Sequence, residues 1–294
     1  MRKHNPSISS NKEIPECTTD AKTPCDTTTR NSLLLGTAHT IDSCEFNSIS
    51  SQLQRGGVIY IHSDGYSDDT SLAVTNSVFK MCSVASTYVD RDGGGAIYMD
   101  TGSFLSVIST EFISCFSKSH AGGVYAQYHI RSCSISLCSF INCQGNHGGG
   151  LMILYVPNSS ITSSCFLSCT ADNFGGGIYH DTNATTYTLT ISNSLFEDNT
   201  AESSDDHSRG GGAFEDYRHK TYTSKHSFLF FTANKTLLGK GNDISVQGNT
   251  LSIDCINHCF TTTSFQAFWN THYNSLDWLS LANTTIKIRM LPLL

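Results

Sequence analysis

The chain is 294 residues long, with 15% charged side chains and a formal net charge of −7 at pH 7. That balance leaves no basic footprint for nucleic acid, and no apolar run is long enough to span a bilayer. No continuous apolar h-region of a secretory signal follows Met1, so the composition assigns no location.

Taken in order, residues 1–30 are polar, with Pro6, Pro15, Pro24 and runs of Thr, and read as a disordered or loosely docked leader. A repeated phrase follows over 31–250. It is clearest where CSFINCQGNHGGGLM (138–152) is answered by CFLSCTADNFGGGIY (165–179). Its phenylalanines are Phe46, Phe79, Phe112, Phe140, Phe166, Phe196 and Phe231, at spacings of 33, 33, 28, 26, 30 and 35 residues. Three residues after each stand Ile49, Cys82, Cys115, Cys143, Cys169, Asn199 and Asn234, and glycine clusters come next. Residues 251–294 leave the pattern and, with Phe265, Phe268, Trp269 and Trp278, are expected to cap the open end of a stack.

A slipping period of this size marks a solenoid. Between glycines and the next Phe lie alternating stretches such as CSISLCSF and TYTLTISNSLF. Their period of two and their Ser, Thr and Ile content predict short strands. Each repeat is then one coil of a parallel β-helix, with glycines at corners that need positive φ or close backbone approach. The expected fold is all-β, a single right-handed parallel β-helix of about seven coils with a C-terminal cap.

GGGAIY (93–98), GGGIY (175–179) and FEDN (196–199) resemble the GGA[ILV] and FxxN motifs of polymorphic outer membrane protein repeats. FKMC, FISC, FINC and FLSC depart from them, with Cys in the Asn place. The resemblance covers roughly residues 44–246, ending in GKGNDISV. It implies a right-handed β-helix of the pectin-lyase-like kind and an extracellular or cell-surface setting. It implies no activity.

Four of the twelve cysteines, Cys82, Cys115, Cys143 and Cys169, share one repeat position and are expected to stack as inert buried thiols. Cys165 with Cys169, Cys255 with Cys259, and Cys17 with Cys25 are spaced so that disulfides are open to them. No CxxC pair suggests zinc. Cleavage of acidic polysaccharide would need carboxylates, or a basic residue beside calcium-binding carboxylates, gathered in one groove. The only DD pairs are Asp68–Asp69 and Asp205–Asp206, in loop stretches, so no catalytic residues, cofactor or metal are assigned. His62, His120, His147, His180 and His207 fall near corners without sharing one repeat position. The sequons at Asn158, Asn183, Asn234 and Asn283 are as many as the Ser and Thr content produces by chance.

Two steps beyond the glycines the repeats read Tyr60, Tyr98, Tyr125, Met152, Tyr179 and Phe214, each preceded by an aliphatic residue or Ala. Successive strand residues face opposite sides. With the aliphatic row inside, Tyr60, Tyr98, Tyr125, Tyr179 and Phe214 would form an outer stripe able to stack on sugars. Rings that stack on one another and shield the sheet are the competing expectation. The function expected is therefore a non-enzymatic surface or adhesin-like binding scaffold, its partner a glycan or cell-surface protein. A polysaccharide lyase or hydrolase and a structural fragment without ligand are the alternatives.

Overall fold

A computed structural model describes residues 38–52, 55–62, 70–85, 93–182 and 188–202. Beyond them it describes the strands Asn31–Ser32, Phe214–Arg218, Thr223–Ser227, Phe230–Thr232, Lys235–Thr236, Ile244–Val246, Thr250–Cys255 and Thr285–Met290. All regular structure in these residues is β, and every strand pairing is parallel to the equivalent strand of the next coil. No helix among them is long and apolar enough to cross a membrane. The strands form a long 15-stranded sheet and two sheets of seven strands. The chain is thus a parallel β-solenoid. The stack amounts to about five turns, slightly fewer than the seven expected.

One seven-stranded sheet carries the phenylalanines, in register from Phe46 through Phe79, Phe112, Phe140, Phe166 and Phe196 to Phe231. From Phe46 to Phe196 the rings are buried and stacked, with centroids 4.7–5.1 Å apart and planes within 17°. That distance is the strand spacing itself, so one ring per coil fills the interior without a gap.

Three bends per coil shape the cross-section. The glycine corner uses Gly94, Gly148 and Gly175 at φ 65–66°. A Cβ on the next residue, Gly95, would run into the carbonyl oxygen of Gly122 one coil on, which is why a second glycine follows. The other two bends flank the Phe strand. Ser43, Asn76, Ser109, Leu137, Ser163 and Asn193 precede it at φ 48–55°; Ser48, Met81, Ser114, Asn142, Ser168 and Asp198 follow it at φ 51–57°. Mostly Ser, Asn and Asp occupy these left-handed positions, where a short polar side chain lowers the cost. Leu137 and Met81 have no such help.

Two ladders of side chains hold the bends. Cys82, Cys115, Cys143 and Cys169 are buried free thiols whose S–H groups donate to the Phe carbonyl of the preceding coil at 3.3–3.6 Å. Asn199 does the same with Nδ2 on Phe166 O at 2.8 Å, and its Oδ1 accepts from Cys169 N at 3.0 Å. Cysteine therefore replaces asparagine here as a smaller donor to the same acceptor. At the other bend Ser77, Thr110, Ser164 and Ser194 donate to the carbonyl two residues back at 2.7–3.0 Å. Each hydroxyl also accepts the amide N–H of the preceding coil. Cys138 takes this place in its own coil.

Cys44 and Cys165 are disulfide-bonded. A bond between Cys165 and Cys169 is excluded, because Cys169 is a free thiol. The leader over 1–30 lies outside the described residues, as does most of 251–294. Two strands of that last segment, Thr250–Cys255 and Thr285–Met290, extend the long sheet.

Candidate functional site

The long sheet has two faces turned away from the core, and they differ. The first lies just beyond the glycine corner. Tyr60, Tyr98, Tyr125, Met152 and Tyr179 are in register there, on the opposite side from the core row Ile59, Ile97, Val124, Leu151 and Ile178. Phe214 does not belong to this row. Its strand pairs it with Ile178 and Ile244 in the aliphatic register, one place from the tyrosine register that counting from Gly212 in the sequence predicts.

The tyrosine row is outside the coil and nevertheless covered. Tyr98, Tyr125 and Tyr179 are at most 5% exposed, and only Tyr60 is half-buried. The cover comes from the residue preceding each glycine corner, in register as Arg55, Gly93, His120, His147 and Phe174. Arg55 lies 5.4 Å over the Tyr98 ring, His120 edges Tyr125 at 5.4 Å and His147 meets Tyr179 at 5.3 Å. His120 and His147 thus do share a repeat position, against the sequence expectation. Their rings are 5.0 Å apart with Nδ1 atoms at 3.1 Å.

A polar cluster sits two residues further along the same strands. Tyr98 OH donates to Asp100 Oδ2 at 2.9 Å, and His62 Nδ1 lies 2.5 Å from that oxygen. Arg55 stands 3.7 Å away as an ion-pair partner. Gln127 bridges the tyrosines, accepting from Tyr125 OH at 2.6 Å and donating to Tyr98 OH. Asp100 Oδ1 is buried without a hydrogen-bond partner. Burial, then the charge of Asp100, pushes the Tyr98 phenol well above its ordinary range, and burial does the same to Tyr125. Both phenols are therefore neutral donors, fixed in a network. Sequence reasoning missed Asp100, Gln127 and Arg55; the available signal was a polar residue ending the apolar runs IYMD and VYAQ.

The second outer face, on the far half of the long sheet, is open. In three successive coils its outward positions are Ser132, Ser134, Ser136; Asn158, Ser160, Thr162; and Thr188, Thr190, Ser192, all in register. Cys133, Ile135, Ile161, Leu189 and Ile191 alternate with them into the core. Neighbouring coils are joined by side-chain hydrogen bonds: Ser160 to Ser134 at 3.3 Å, Thr162 to Ser136 at 3.0 Å and Thr188 to Asn158 at 3.4 Å. The grid has a pitch of about 4.8 Å across strands and about 6.6 Å along them. Phe104, 39% exposed, continues the first column in register with Ser132. At the bend between the two faces Tyr128 is half exposed, its ring 5.1 Å from that of Tyr155.

Among the described residues no three His, Cys, Asp or Glu side chains converge as metal ligands. Asp68–Asp69, Asp205–Asp206 and His207 lie outside the described residues, and no side-chain position is described for Phe214. No protein-family model, curated protein or solved structure matches the chain.

Proposed function

We propose that this protein is a non-enzymatic binding scaffold of the surface or adhesin type, and that the open hydroxyl face holds a glycan. One observation carries the reading: nine uncharged polar side chains on three coils stand in register as a regular grid beside exposed aromatic rings. A sugar chain offers the complementary pattern of hydroxyls for the grid and C–H faces for Phe104 and Tyr128. Rigid strands pre-order the donors, so little conformational entropy is lost on binding. The repeats' likeness to polymorphic outer membrane protein motifs supports a surface role.

A polysaccharide-cleaving enzyme is the second reading, favoured by the open acceptor on Asp100 beside His62. Incubation with a panel of neutral and acidic polysaccharides separates the two. Retention of protein on at least one polymer, without new reducing or unsaturated ends, is the expected result. New ends that vanish in Asp100→Asn would establish the enzyme instead.

A further inference from the structure

Two tyrosines at the bend between the covered and the open face hold a backbone that tyrosine disfavours. Tyr128 has φ 49° and Tyr155 φ 57°, in the left-handed region where so large a side chain is strained. The other non-glycine residues found there are Ser, Asn and Asp, with Ala121, Leu137 and Met81 besides. Among the described residues no other aromatic side chain stands in that region.

An inserted residue makes the bend. Ala126 and His129 pair with Met99 and Thr101. Gln127 and Tyr128 therefore stand against Asp100 alone, a β-bulge of the kind that re-aims a side chain. Toward the next coil the pairing is regular up to Gln127 with Leu154, which sets Tyr128 and Tyr155 at one repeat position. Their rings are 5.1 Å apart at 61°. Tyr155 is half-buried and packs against the tyrosine-row cluster, whereas Tyr128 is 50% exposed. One ring is thus braced on the fold and holds the other out just ahead of the grid's first column, Ser132 and Asn158. Covering the bend does not account for the pair, because Ser or Asn suits this backbone better and serves at the other bends.

We infer, on the glycan reading above, that Tyr128 braced by Tyr155 is the stacking platform of the site and that its ligand is a neutral, β-linked polymer of glucose type. The face of an aromatic ring is electron-rich and attracts C–H bonds. A β-linked glucose unit carries its ring hydroxyls equatorially, so both its faces are made of C–H bonds. An axial hydroxyl, as in mannose, interrupts one of them. The nine grid positions are Ser, Thr and Asn, and no cation among them pairs with the carboxylates of an acidic polymer.

Affinity measurements on three immobilised oligosaccharides test this: a cellulose-type glucose chain, its β-linked mannose counterpart and an oligogalacturonate. The parent should bind the glucose chain at least tenfold more tightly than either of the others. Tyr128→Asn, which suits the backbone, should lose at least tenfold in affinity while its melting temperature holds or rises. Tyr128→Phe keeps the ring and should bind within twofold of the parent. Parent-like binding by Tyr128→Asn, a loss that comes only with a lower melting temperature, or an equal loss in Tyr128→Phe would overturn the platform. Equal or tighter binding of the mannose or acidic chain would overturn the ligand class alone. If no polysaccharide retains the parent at all, the scaffold reading itself fails, and the platform with it.

Discussion

Two rows of aromatic rings run along this solenoid, and they are built on different terms. The phenylalanine row repeats one geometry, rings stacked within 17° of parallel at the strand spacing. The tyrosine row does not: Tyr60 and Tyr98 are tilted by 31°, Tyr98 and Tyr125 stand edge to face, and Met152 interrupts. A phenyl ring has only packing to satisfy, so every coil finds the same solution. A buried phenol must also place its hydroxyl, and Asp100 and Gln127 set each ring's angle. An aromatic repeated once per coil is thus no sign of a ligand surface; both rows are packed against protein.

The largest effect should come from the uniform row. Phe140→Ala removes a ring stacked at 4.7 Å on both sides and should cost about 3–5 kcal/mol in denaturant melts. A loss under about 1 kcal/mol would mean that the row is not close-packed. The thiols beside it give the next effect. Burial pushes Cys133 and Cys138 up to about 12 from 9.0, and Cys115 and Cys169 well upward. A raised acid binds its proton more tightly in the folded chain, so its stability contribution is full below pH 9 and is lost as pH climbs toward 12. Near pH 10 each of Cys133 and Cys138 should cost about 1.4 kcal/mol. Cys138→Ser, the residue at this position in Ser77, Ser164 and Ser194, should flatten the fall of melting temperature between pH 8 and 10. In the native state Cys82, Cys115, Cys143 and Cys169 should resist alkylation, and rapid labelling of all four would refute their burial.

The irregular row should respond more weakly and through polarity. Tyr125→Phe keeps the ring but deprives Gln127 Oε1 of its donor, a loss of about 1–2 kcal/mol; no change would mean that the network does not fix the row. Smallest is a gain. Leu137 is 57% exposed at φ 55°, and Leu137→Asn should stabilise by about 0.5–1 kcal/mol, since Asn tolerates this backbone better. A destabilised variant would show that the Leu side chain does more than occupy the bend.

Much of this was legible in the sequence where identical chemistry recurs at fixed offsets. Phe every coil, Cys or Asn three residues on, and strict alternation in CSISLCSF gave the solenoid, its interior and the buried ladder. What was hidden depended on register across the glycine corner. Counting back from the corner would have paired His120 with His147, and counting Ala213 as a corner residue would have put Phe214 in register with Ile178. The cover over the tyrosines was unreadable because it comes from side chains of different types, Arg55, His120, His147 and Phe174, that share a place and no chemistry. The bends at Leu137 and Met81 carried no signal, since neither residue favours positive φ. The hydroxyl grid was visible as alternating Ser and Thr, but its alignment across coils came only with the register of three coils.

The decisive comparison sets the open face against the covered one in a single assay. A polysaccharide that retains the parent protein should be offered to two folded variants. In one, Ser160→Lys and Thr190→Lys break the hydroxyl grid; in the other, Tyr125→Phe disturbs only the buried row. If the open face binds, the grid variant loses at least tenfold in affinity and the tyrosine variant binds as the parent does. Parent-like binding by the grid variant, with loss in Tyr125→Phe, would move the site to the tyrosine row and contradict the assignment.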